Sequence, residues 1–270
     1  FIFNFFNPLS YFCNTNSKLM AGHSKWANIK RRKGAQDAKR AKIFTRILKE
    51  IAIAVKEGGG PDPDTNPRLR LAIANAKGVN MPKDNINRAI KKASDKDSES
   101  YQEVTYEGYG PVGIALFVEA TTDNINRTVA NVRAIFNKYG GSLGTNGSLE
   151  FIFDRKGVFT IPTSALEGKD MDEFEMELID GGAEDVEKDE DFVVVYTSFE
   201  DFGSMQKKLE EMQIEPESQE LQRIPKSTTK LDLEEGKKVL NIIEKFEEDD
   251  DVNTVFHNME MTEELAEEMG

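Results

Sequence analysis

The sequence predicts an α+β protein of three domains, and three observations carry that prediction. Between residues 35 and 93 apolar side chains recur at the three-to-four-residue spacing of helices. From Val104 onward the pattern changes to alternation with period 2, in short runs broken by Gly, Pro and Asp. Residues 148–224 then hold a full set of strands and helices, whereas 101–147 and 231–258 each hold too few to bury a sheet face alone.

The first helix is expected over Ala35–Glu57. Phe44, Ile47, Leu48, Ile51 and Val55 fall on one stripe at i, i+3, i+4, i+7 and i+11, with Lys39, Lys42, Arg46, Lys49 and Lys56 on the opposite side. Gly58-Gly59-Gly60-Pro61 ends it, because Gly relaxes the backbone and Pro cannot continue the helix. Asn66 caps a second helix with Pro67 in its first turn and Leu69, Ala72, Ile73 and Ala76 inward. A third begins after Pro82 and buries Ile86, Ile90 and Ala93; the polar stretch Ser94–Ser100 follows as a linker. Residues 20–98 therefore form a basic helical domain.

Val104–Tyr109 and Gly113–Ala120 read as paired strands, and Thr122 or Asp123 caps a helix carrying Val129, Val132, Ile135, Phe136 and Tyr139 inward. A hairpin is expected from Leu149–Phe153 and Val158–Ile161, turned at Asp154–Gly157. A helix (Met171–Ile179), two strands (Ala183–Val186, Phe192–Thr197), a helix (Phe199–Met212) and a strand (Gln219–Ile224) complete that unit. Helix Leu233–Phe246 and strand Val252–His257 come last. The expected layout is thus a discontinuous αβ domain (99–147 plus 225–260) interrupted by an inserted αβ domain (148–224), both ferredoxin-like sandwiches, with 261–270 an acidic tail.

Residues 1–19 are aromatic at the start, carry no acid and only Lys18 as a base. Asn4, Asn7 and Pro8 interrupt what a secretory signal would keep apolar, and a mitochondrial presequence would be rich in Arg. They are expected to be mis-called upstream translation ahead of a start at Met20, rather than a targeting peptide. Cys13, the single cysteine, fits a reducing cytoplasm, and no apolar run reaches the ~20 residues of a spanning helix.

Charge gives the strongest indication of a partner. Residues 20–98 carry nineteen Lys or Arg against eight Asp or Glu; residues 99–270 carry fifteen against forty-one. An overall pI near 4.8 conceals a basic arm on an acidic body. The arm comprises His23, Lys25, Lys30, Arg31, Arg32 and Lys33 ahead of the first helix, continued by Lys39, Arg40, Lys42, Arg46 and Lys49 along it. Between Met20 and Lys56 only Asp37 and Glu50 oppose eleven bases. A solvated face mixes signs, so nucleic-acid contact is the better reading. Lys and Arg in this arrangement grip phosphates and do not read bases. His23 is either a phosphate contact or a capping residue, and Trp26 either stacks on a base or packs where the arm meets the helices.

Enzymatic readings find little support. Gly108-Tyr109-Gly110-Pro111-Val112-Gly113 spells a dinucleotide-binding pattern, but a strand follows where that pattern needs a helix, so it reads as a hairpin turn. His23 and His257 fall in different domains and no Ser/His/Asp, Cys/His or zinc spacing is present. Glu247–Asp251 reads as a solvated charge run rather than a Mg²⁺ site, since consecutive carboxylates do not readily converge on one ion. The expectation is a non-enzyme with no catalytic residue, metal or cofactor, no membrane and no small-molecule substrate.

Met20–Lys30 (Met-Ala-Gly-His-Ser-Lys-Trp-Ala-Asn-Ile-Lys) and Arg31–Arg40 resemble the opening signature of the YebC family. The resemblance continues through Gly58–Pro63, Asn66–Arg70, Asn80–Ile86, Tyr106–Pro111, Thr121–Thr128 and Val255–Asn258, and so covers residues 20–258. It implies a helical N-terminal domain followed by two αβ domains, in a family described as probable DNA-binding transcriptional regulators of the bacterial cytoplasm. Relatives include a mitochondrial translational activator, and other members act at the ribosome on stalled translation. The implied partner is therefore DNA or ribosomal RNA, the latter with the ribosome itself.

Overall fold

The computed structural model describes residues 37–95, 100–189 and 191–269. Helix α1 (Asp37–Glu57) packs Ile47, Ile51, Ala54 and Val55 against α2 (Pro67–Gly78) and α3 (Lys83–Ser94). Leu69, Ala72, Ala76, Met81, Ile86 and Ala93 supply the other side of that core. Fully buried Asn66 ties the helices together: its Oδ1 accepts from Leu69 N at 3.0 Å, while its Nδ2 donates to Ala54 O and Gly60 O. One side chain thus caps α2 and closes the end of α1.

Strands β1 (Gln102–Tyr109) and β2 (Ala115–Thr122) pair antiparallel across a short 3₁₀ turn at Pro111–Gly113, so the glycine pattern there is a hairpin. With β3 (Ser142–Leu143) and β8 (Val252–His257) they make an antiparallel sheet in the order β3-β1-β2-β8. Helices α4 (Ile125–Lys138) and α7 (Leu233–Glu248) cover one face, where Phe136 and Phe246 meet edge-to-face at 4.8 Å.

The second sheet contains β4 (Phe153–Pro162), β5 (Ala183–Lys188), β6 (Phe192–Ser198) and β7 (Ser218–Pro225) in the order β5-β6-β4-β7. Helices α5 (Met171–Asp180) and α6 (Phe202–Glu211) close its core of Phe159, Ile161, Phe174, Leu178, Val193, Val195, Met205 and Leu209. The element order β-α-β-β-α-β is that of the ferredoxin-like fold. This sheet is inserted in the chain between β3 and α7.

Three expectations are corrected. Leu149–Phe153 does not form a strand hairpin with Val158–Ile161; β4 runs unbroken from Phe153 to Pro162, and the inserted sheet has four strands. The cause is Glu107, 2 % exposed, whose carboxylate accepts from Gly147 N at 2.7 Å and Leu149 N at 2.6 Å and folds that segment into a turn. Residues 199–201 precede α6 rather than open it. The cap of α4 is Asn124, whose Oδ1 accepts from Arg127 N, and not Thr122 or Asp123. Within the acidic tail, helix α8 (Glu263–Met269) buries Leu265 completely against α7. Gly236 makes that approach possible, since a Cβ there would meet Leu265 Cδ2 at 2.5 Å.

Candidate nucleic-acid interface

Helix α1 has two working faces. One is the apolar stripe that builds the helical core. The other carries Lys42, Arg46 and Lys49 at i, i+4 and i+7, a single line along the helix. All three of these side chains turn onto the acidic body. Lys42 Nζ donates to Asp249 O at 2.8 Å, and Lys49 Nζ donates to Asp250 O at 2.7 Å and Thr121 O at 3.0 Å. The two lysines therefore cap the C-terminal end of α7, where unsatisfied carbonyls and the helix dipole concentrate negative potential.

Arg46 bridges in the other direction. Its Nε donates to Glu50 within α1 and its NH2 to Glu220 of β7 at 3.1 Å. Burial works against its charge, but the Glu220 and Glu50 carboxylates outweigh this and hold the guanidinium above its ordinary range. Burial lowers the Lys42 pKa, opposed by the carboxylates of Asp250, Glu247, Asp249 and Glu248.

The acidic run Glu247–Asp251 is correspondingly not a loose solvated string. Asp251, 6 % exposed, accepts from Arg127 NH2 at 2.7 Å, Thr128 Oγ1 at 2.9 Å and Thr122 Oγ1 at 3.2 Å, and faces Lys49 Nζ at 3.4 Å. Asp249 accepts from Asn131 Nδ2. Among the described residues no three of His, Cys, Asp and Glu are placed to hold a metal ion together.

Further contacts seat the helical domain on the inserted sheet. Asn75 of α2 uses both ends of its amide on the edge strand β7, donating to Gln219 O at 3.0 Å and accepting from Gln219 N at 3.1 Å. It behaves as a one-residue extension of the sheet and covers part of an otherwise open edge. At Gly78 the backbones come so close that a Cβ would lie 2.0 Å from Glu217 O. The two sheets are joined by Arg223, which donates to Glu119 at 3.1 Å and stacks 3.8 Å from the Phe117 ring centroid. Burial raises the Glu119 pKa, against the pull of Arg223 and Arg46.

The basic residues named from sequence therefore divide. His23, Lys25, Lys30, Arg31, Arg32 and Lys33 lie outside the described residues, as does Trp26, and Lys39 lies in the first turn of α1. Arg40 is exposed, its guanidinium 5.5 Å from the Phe44 ring. Lys42, Arg46 and Lys49 form the seam with the body. Sequence reasoning passed over a second set of cations, on α3: Lys83, Arg88, Lys91 and Lys92 are all exposed, as are Arg70 and Lys77 on α2. Their signal was the near absence of acid in α3, where only Asp84 opposes them.

Family signatures match nearly the whole of residues 24–259. "TACO1/YebC protein N-terminal domain" matches residues 24–96, and "TACO1/YebC second and third domain" matches residues 101–259. A relative from Amoebophilus asiaticus named "Probable transcriptional regulatory protein" is 54% identical over 242 residues, covering 89% of this chain and 98% of its own. One of the same name from Thermotoga petrophila is 48% identical over 251 residues, covering 93% and 98%. A crystal structure of a conserved hypothetical protein from Aquifex aeolicus superposes with a TM-score of 0.74 at 41% identity, covering 84% of this chain and 93% of that one.

Proposed function

Because this chain belongs to the TACO1/YebC family, we propose that it is a non-enzymatic regulator of gene expression that contacts nucleic-acid phosphates through its basic N-terminal domain. The observation that carries this reading is the separation of charge: nineteen bases against eight acids in residues 20–98, on a body with fifteen against forty-one. The name shared by its relatives, probable transcriptional regulatory protein, supports the regulatory role; DNA is the polyanion we propose. The contacts are assigned to His23, Lys25, Lys30, Arg31, Arg32 and Lys33, with Lys39 and Arg40 where the run enters α1. Lys42, Arg46 and Lys49 have the different task of holding α1 on the body. The acidic body disfavours wrapping of a duplex, so the footprint is small. The setting is the cytoplasm; among the described residues no helix is long and apolar enough to cross a membrane.

A second reading is a translation factor that grips ribosomal RNA at the ribosome. It is favoured by the commitment of the 42-46-49 stripe to the body. With that stripe turned inward, α1 does not lie in a major groove and present these side chains to base edges. A phosphate clamp without base readout suits a structured RNA. Crosslinking in cells followed by sequencing of the bound nucleic acid separates the readings. Enriched promoter DNA supports transcription and enriched ribosomal RNA supports translation; recovery that only mirrors total cellular nucleic acid counts against both.

A further inference from the structure

Between α1 and α3, beside Tyr101, lies an open groove of about 470 Å³, within the range of small-molecule sites. Leu48 and Ala52 of α1 and Ala89 of α3 give it an apolar floor, and Tyr101 stands as its aromatic wall. The Lys49 ammonium sits 5.7 Å from the Tyr101 ring centroid, so the same lysine that caps α7 also backs that ring. Asn85, Arg88 and Lys92 line the rim at i, i+3 and i+7 of α3, all on one side of the helix. Among the described residues no Asp or Glu lines the groove.

An apolar floor, an aromatic ring and a rim carrying Arg88 and Lys92 match the chemistry of a planar base with a phosphate attached. We infer that this groove takes an unpaired nucleotide of the bound nucleic acid, its base stacked at Tyr101 and its phosphate held by Arg88 and Lys92. Arg88 is suited to the role. Its Nε donates to Asp84 O and one NH2 hydrogen to Asn85 Oδ1, two of the five donors of the guanidinium fork. Stacking on an aromatic side chain tolerates any base, so the groove adds affinity for single strands without adding sequence preference. This inference rests on the nucleic-acid reading above but predicts something that reading does not, a preference for unpaired nucleotides located at one ring.

The test uses the full-length chain in fluorescence anisotropy with three probes: a labelled octamer of uridine, its deoxyribose counterpart, and a blunt duplex of about twenty base pairs. Loss of one stacking contact should weaken octamer binding by about tenfold or more for Tyr101→Ala. Tyr101→Phe keeps the ring and should stay within about twofold of wild type. Duplex binding by Tyr101→Ala should also stay within about twofold, and a melting temperature close to that of wild type shows that the variant is folded. The double variant Arg88→Gln, Lys92→Gln removes the contacts to one phosphate, so it should weaken the octamers and reduce their log–log salt slope by about 0.7. Loss on both octamers assigns the base and phosphate alone; loss confined to the uridine octamer adds the ribose 2′-hydroxyl to what the groove recognises. Unchanged octamer binding by Tyr101→Ala overturns the groove, as does an equal loss on octamer and duplex. A wild-type chain that binds none of the probes overturns the nucleic-acid reading itself, so the two failures are distinct.

Discussion

Lys49 of α1 and Asp251 of the α7–β8 turn meet at 3.4 Å, with side chains only 12% and 8% exposed, at the point where the helical domain sits on the acidic body. The Asp251 carboxylate also takes hydrogen bonds from Arg127, Thr128 and Thr122, so one side chain joins α1, α4 and β2. The basic helix of this protein is therefore partly neutralised from within.

Removing the carboxylate leaves two cations and two hydroxyls facing an empty site. Breaking a buried pair on one side typically costs about 3 to 5 kcal/mol, so Asp251→Ala should lower stability by roughly 3 kcal/mol in a urea titration.

The same carboxylate makes stability depend on acid. Burial alone would raise the Asp251 pKa, but the hydrogen bonds from Arg127 and Thr128 and the charge of Lys49 hold it below its ordinary value. A folded-state pKa below the unfolded one stabilises at pH values above about 4, and that contribution fades as pH falls through the folded pKa. The difference in melting temperature between wild type and Asp251→Asn should be widest near neutral pH and shrink below about pH 4. A difference that grows on acidification contradicts the assignment.

Gly78 gives a test of how the helical domain is seated. In an exposed helix interior, Gly→Ala stabilises by about 1 kcal/mol. Here the added Cβ would meet Glu217 O, so Gly78→Ala should instead destabilise, by roughly 1 to 3 kcal/mol. Limited proteolysis should then release the helical domain faster than from wild type. The sign of the stability change decides the matter.

Leu265 tests the last helix. It is fully buried against α7, so Leu265→Ala should cost about 2 to 4 kcal/mol despite lying five residues before Gly270. An unchanged melting temperature would mean that α8 does not pack as described.

Val112 is β-branched with φ at +53° and is half exposed, so its side chain gains little from burial while its backbone is strained. Val112→Gly should raise stability by about 1 kcal/mol, read as a rise of a few degrees in melting temperature.

The parts of the fold that were legible in sequence are those fixed by local chemistry. Asn66 before Pro67 announced a helix start, and its Oδ1 caps Leu69 N. The alternation around Gly110-Pro111 announced the β1–β2 hairpin. Leu149 was misread because its alternation with Phe151 and Phe153 mimics a strand, whereas the deciding group, Glu107, lies forty-two residues away in sequence. Residues 263–269 look like a solvated tail, since Leu265 is one apolar side chain among acids and its pocket is made by Gly236. The candidate interface was legible as a charge imbalance and not as a geometry. Nothing in the spacing of Lys42, Arg46 and Lys49 says whether they face a nucleic acid or the protein's own Asp249, Glu220 and Asp250. Arg88 and Lys92 drew no notice because ordinary mixed-polarity helices carry similar residues.

The central claim is that the basic lead-in grips phosphate while the α1 stripe holds the body. It is tested most directly by titrating labelled duplex DNA against wild type and the Arg31→Glu, Arg32→Glu, Lys33→Glu variant over a range of salt. With about six phosphate contacts, wild-type log affinity should fall with log salt at a slope near −5. The variant should lose binding while keeping the wild-type melting temperature, because the seam made by Lys42, Arg46 and Lys49 is intact. Wild-type affinity that ignores salt, or a variant that binds as tightly as wild type, contradicts the account.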